Sequence, residues 1–112
     1  AAIATLDLLE KESLIAQSAE LAPLFEQQLH ALRGCPHVVD IRNCGLVGAI
    51  QLAPREGDAT LRPFEAGMLL WKAGFYVRFG GDTLQFGPMF SAQPDELDRL
   101  FNAVSDALHR VA

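Results

Sequence analysis

A chain of 112 residues, half of them apolar and with a net charge of −5, has the composition of one globular domain with a single thin core. Its acidic balance, with basic residues scattered singly, argues against nucleic acid or an anionic membrane as partner. No apolar run approaches the ~20 residues that span a bilayer. The opening Ala1-Ala2-Ile3-Ala4-Thr5-Leu6 lacks the charged region and cleavage site of a signal peptide. The chain starts inside a helical pattern with neither cap nor Met, as expected of a segment taken from a longer protein. Cys35 and Cys44 are too few for a disulfide scaffold and fit reduced thiols in the cytoplasm.

In chain order, residues 1–33 read as helix, with Leu6, Leu9, Leu14, Leu21, Leu24, Phe25, Leu29 and Leu32 recurring at three- and four-residue steps. The phase slips at Glu12-Ser13, where Ser13 is positioned to cap a second helix. Pro23 is expected to kink that helix or begin a new segment, and Gly34 with Pro36 ends it. Val38–Arg42 and Leu46–Leu52 read as strands around the turn Asn43-Cys44-Gly45. Gly48 within the second strand implies a bulge or a close backbone approach. After the polar loop Ala53–Asp58, a helix over residues 62–73 starts near Pro63 and stops at Gly74. Phe75–Phe79 and Thr83–Phe86 form strands joined by Gly80-Gly81-Asp82. Pro94 opens a final helix whose apolar face carries Leu97, Leu100, Phe101, Val104, Leu108 and Val111. This order predicts a two-layer α+β domain, an antiparallel sheet of about four strands with helices on one face.

Chemistry-bearing patterns are sparse. Cys35, His37 and Cys44 lie near one another, but no C-x-x-C pair completes a metal site. The serines form no G-x-S-x-G elbow, and His30, His37 and His109 stand in unrelated contexts. Gly80-Gly81 does not open a helix and so cradles no phosphate. Asp95, Glu96 and Asp98 read as a helix start facing solvent. Of the two lysines, Lys11 sits between two glutamates and Lys72 precedes a helix stop. Neither setting desolvates an amine for Schiff-base chemistry, so no covalent cofactor anchor is expected within this chain.

The segments Ala4–Glu12, Val39–Ile50, Arg62–Gly67, Phe75–Pro88 and Asp95–Leu100 occur in the order seen in one enzyme family. In them the chain resembles the C-terminal small domain of class III, fold-type-I aminotransferases dependent on pyridoxal 5'-phosphate. Arg62-Pro63-Phe64-Glu65-Ala66-Gly67 and Phe75–Pro88 are most similar to the β-alanine–pyruvate (ω-amino acid–pyruvate) branch. The resemblance implies transfer of an amino group from an ω-amino acid or amine to pyruvate. It also implies a homodimer or a tetramer of dimers, and a cofactor held by a large domain absent from residues 1–112. By the same resemblance Arg78 binds the substrate carboxylate, while no catalytic, cofactor-binding or metal-binding residue lies in this chain. Alone the chain is expected to be inactive and to self-associate through its leucine-rich first helix. Without the resemblance, Arg78 reads as a solvated strand-end side chain. The competing reading is a free-standing α+β module that binds a small anion or pairs through its sheet, and the uncapped start without Met counts against it.

Overall fold

The slip in apolar phase at Glu12-Ser13 divides the first helical stretch in two. The computed structural model describes residues 1–112, with α1 at Ala2–Lys11 and α2 at Leu14–His30. Ser13 does not cap α2 through its side chain, contrary to expectation. It takes a left-handed φ of 51° and its hydroxyl makes no capping bond, so the break is a backbone turn. The Gln17 amide donates instead to the Glu12 carbonyl at 2.7 Å. α2 runs unbroken past Pro23, so no new segment begins there. It tightens into a 3₁₀ turn at Ala31–Gly34 before the chain becomes extended at Cys35.

The remaining elements are β1 (Val38–Cys44), β2 (Val47–Leu52), α3 (Leu61–Lys72), β3 (Arg78–Gly80), β4 (Thr83–Phe86) and α4 (Pro94–Arg110). The four strands form one antiparallel sheet in the order β1-β2-β4-β3. β3 is shorter than the expected Phe75–Phe79 strand. The cause lies in the stop of α3: Gly74, at φ 94°, donates to Trp71 O at 3.0 Å and Phe75 N–H donates to Leu70 O at 2.8 Å. That double closure of the helix end uses the Phe75 amide before it can enter a ladder. α4 begins as its sequence implies, with Pro94 in the first turn and Gln93 N–H donating to Glu96 Oε1 at 3.1 Å.

Alternation along the strands sends Ile41, Gly48, Ile50, Leu52, Leu84 and Phe86 to one face, where α2, α3 and α4 cover them. Phe25, Leu29, Leu70, Leu97, Val104 and Leu108 are buried against that face in a single core. Gly48 is a close approach and not a bulge: a Cβ there would stand 2.5 Å from Leu29 Cδ2. The ladder irregularity lies instead between Val38 and Asp40. Around β3, Val77 is buried, while Phe75 and Phe79 are half-buried and pack against the core. No residue of α1 is buried, and no helix is long and apolar enough to cross a membrane.

Candidate functional site

The other face of the sheet carries no helix. The pleat puts Asp40, Arg42 and Cys44 of β1, Val47, Ala49 and Gln51 of β2, Thr83 and Gln85 of β4, and Arg78 of β3 there. Two adjoining hollows mark this face. One, of about 420 Å³, lies over β1 and β2 between Arg42, Val47, Ala49 and Gln85. The second, of about 330 Å³, lies between Val47, Tyr76, Arg78, Gln85 and Gly87 at the β3 edge.

Arg78 is exposed at the start of β3, directly opposite Gln85. It forms no hydrogen bond or ion pair within the chain, and in this it is alone among the arginines. Arg33 contacts His30, Arg42 pairs with Asp40, Arg55 with Glu65, Arg99 with Asp95, and Arg110 with Asp106. Arg62 donates to the carbonyls of Ala53, Pro54 and Ala112. Asp82, the carboxylate in the neighbouring turn, accepts from Gln51 Nε2 at 2.7 Å. Arg78 thus presents an uncompensated guanidinium to an open hollow, a fork suited to a carboxylate. Tyr76, 78% exposed, lines the same hollow with its ring edge-on to Trp71 at 6.1 Å. Arg78 and Tyr76 lie outside the core, while Val77 between them is buried.

The other chemistry-bearing residues are dispersed. Cys35 Sγ lies 3.7 Å from Ser105 Oγ, His37 Nε2 lies 3.3 Å from Val111 O, and Cys44 is exposed. No three such side chains converge as metal ligands. His30 bonds Asn43 at 2.8 Å, and His109 bonds the Ser105 carbonyl within its own helix. Lys11 and Lys72 are exposed at the last turns of α1 and α3. Their settings do not fit a pyridoxal phosphate anchor, which needs a desolvated amine. The sequence reading overlooked Gln85. Alternation within Thr83-Leu84-Gln85-Phe86 places it on the polar face, but its pairing with Arg78 follows only from the register of β3 with β4.

This fold, with three helices on one face of a four-stranded antiparallel sheet, is shared with solved aminotransferases. A solved transaminase with L-alanine superposes on 96% of the chain with a TM-score of 0.89 at 24% identity, using 27% of its own length. The similarity of sequence is more particular. The chain is 67% identical over all 112 residues to the β-alanine–pyruvate aminotransferase of Pseudomonas aeruginosa. It is 63% identical over 111 residues, 99% of the chain, to the ω-amino acid–pyruvate aminotransferase of Pseudomonas putida. It spans 25% of the length of each and corresponds to their C-terminal part. No family model matches it.

Proposed function

We propose that this chain is the substrate-binding C-terminal domain of a pyridoxal-phosphate-dependent aminotransferase that moves an amino group from β-alanine, another ω-amino acid or an amine to pyruvate. Identity of 67% to a β-alanine–pyruvate aminotransferase supports the substrate class. The partnerless guanidinium of Arg78 on the helix-free face carries the reading of the site. In it, Arg78 holds the carboxylate of the keto acid or amino acid by two parallel charge-assisted bonds. The cofactor belongs to a preceding large domain, where it would supply the electron sink for amino transfer, and this domain closes over it. Residues 1–112 alone are inactive, since Lys11 and Lys72 are both exposed. The complete enzyme is a homodimer or a tetramer of dimers in the cytoplasm, a compartment in keeping with two unpaired thiols.

The test is Arg78→Ala and Arg78→Lys in the full-length enzyme. Loss of a charged hydrogen-bonded contact, ~1.5–3 kcal/mol, lowers kcat/KM for pyruvate and β-alanine by about ten- to a hundredfold. Lysine keeps the charge without the fork and recovers only part of that loss. A donor amine that lacks a carboxylate is expected to be nearly unaffected. Equal losses for both donor types would assign Arg78 to the fold and refute the carboxylate role.

A further inference from the structure

Gln85 stands opposite Arg78 in the β3–β4 ladder, and both side chains border the same hollow of about 330 Å³. Residues directly opposed in an antiparallel pair have Cβ atoms only ~4.5–5.5 Å apart. The far neighbour of Gln85, on β2, is Ala49, whose methyl leaves the amide uncrowded on that side. The amide is also oriented. The Thr83 hydroxyl donates to the Gly80 carbonyl at 2.9 Å, so its oxygen is left to accept, and Gln85 Nε2 donates to it at 3.1 Å. A hydroxyl with its proton committed elsewhere dictates which end of the amide faces it. Oε1 therefore remains as the free acceptor, since nothing in the chain donates to it. Gly80 keeps this arrangement open: a Cβ there would lie 3.3 Å from Gln85 Nε2. On the Arg78 side the only cationic group in register with this acceptor is the partnerless guanidinium itself.

We propose that Gln85 is the positioning residue for Arg78: its oriented amide oxygen, unengaged in this structure, is the acceptor that the guanidinium takes up when a substrate carboxylate is held, and so sets the fork. The assignment rests on the reading of Arg78 as the carboxylate ligand. A neutral acceptor suits the task, because it steers the guanidinium without cancelling its charge. A carboxylate at the same place would form an internal ion pair and compete with the substrate.

That contrast supplies the test, made in the full-length enzyme with steady-state kinetics on β-alanine, pyruvate and the carboxylate-free donor 1-phenylethylamine. Gln85→Leu keeps the bulk and deletes both polar ends. KM for β-alanine and pyruvate is expected to rise about five- to tenfold, the worth of one hydrogen bond that orders the clamp. Turnover at saturation and all constants for 1-phenylethylamine stay within about twofold. Gln85→Glu is expected to raise KM for the carboxylate substrates further than Gln85→Leu does, again sparing 1-phenylethylamine. Constants for that amine report that the variants are folded and that the rest of the site is intact. Equal effects on both donor types, or no effect of either variant, would overturn the assignment. Arg78→Ala, run in parallel, separates the two ideas. Selective loss there with silent Gln85 variants refutes Gln85 alone, whereas unselective loss at Arg78 removes the basis of both.

Discussion

Gly67→Ala pits two opposed effects of known size against each other beside the proposed substrate site. Gly67 is buried in α3, and a Cβ built on it would stand 2.5 Å from Phe79 Cδ1, 3.0 Å from Cε1 and 3.4 Å from Cγ. Carbon atoms in contact prefer ~3.5–4.0 Å, so a whole ring edge must retreat by about 1 Å. The ring has little room, because Phe64 meets it edge-on at 5.5 Å. Overpacking of this kind costs about 1–3 kcal/mol, and an overlap this deep belongs near the top of that range. Against it stands a gain of about 1 kcal/mol from replacing glycine inside a helix. The expected balance is a loss of about 1–2 kcal/mol, or roughly 4–8 °C in Tm for a chain of this length. Thermal unfolding followed by circular dichroism measures it. In a Phe79→Leu background the ring edge is gone, and the same substitution is expected to stabilise. A rise of about 4 °C for Gly67→Ala alone would mean that helix propensity acts unopposed. The packing of Phe79, next to Arg78, against α3 would then be wrong.

Further outcomes follow from the same structure. Gly48→Ala is expected to lose about 1–3 kcal/mol in urea denaturation, because Leu29 and Phe25, both fully buried, cannot swing away from the new methyl; an unchanged midpoint would refute the close approach of α2. The Glu65 carboxyl lies below its ordinary 4.5, held chiefly by its hydrogen bond from Arg55 at 2.9 Å, and Asp58 lies below 3.8 through the Thr60 hydroxyl at 2.7 Å. A depressed folded pKa means stabilisation that is complete above the ordinary values and lost as pH falls through the depressed ones. Protection factors of the amides in residues 53–60, corrected for the intrinsic exchange rate at each pH, should therefore fall only on acidification below about pH 4.5, and Glu65→Gln should remove the Glu65 part of that step. Ile3 and Leu6 on α1 are 75% and 63% exposed. Sedimentation of the 112-residue chain is expected to show self-association that Leu6→Glu abolishes, and a monomer before substitution would refute it.

The local signals in the sequence were sufficient for much of this architecture. Pro94 with Glu96, Gly74, and the Gly80-Gly81 turn each settle an element boundary through one residue's backbone chemistry. Alternation is equally local: it sets Val77 in the core and Arg78 outside it, and Leu84 and Phe86 on the face opposite Gln85. The role of Arg78 came from family resemblance, because a strand-end arginine has no local signature of function. Ser13 and Phe75 show where local reading fails. Ser13 has the right side chain for a cap but a left-handed backbone, and Phe75 has strand propensity but spends its amide on the end of α3. What only the tertiary structure decided is pairing between distant segments. The register that sets Gln85 against Arg78, and the contact of Gly67 with Phe79, depend on how α3 returns the chain to the sheet. So does the fact that Arg78 alone among the arginines is left without a partner. Residue order records propensity and periodicity, which act over one turn or one pleat; neighbours across a sheet or between layers exist only once the core has closed.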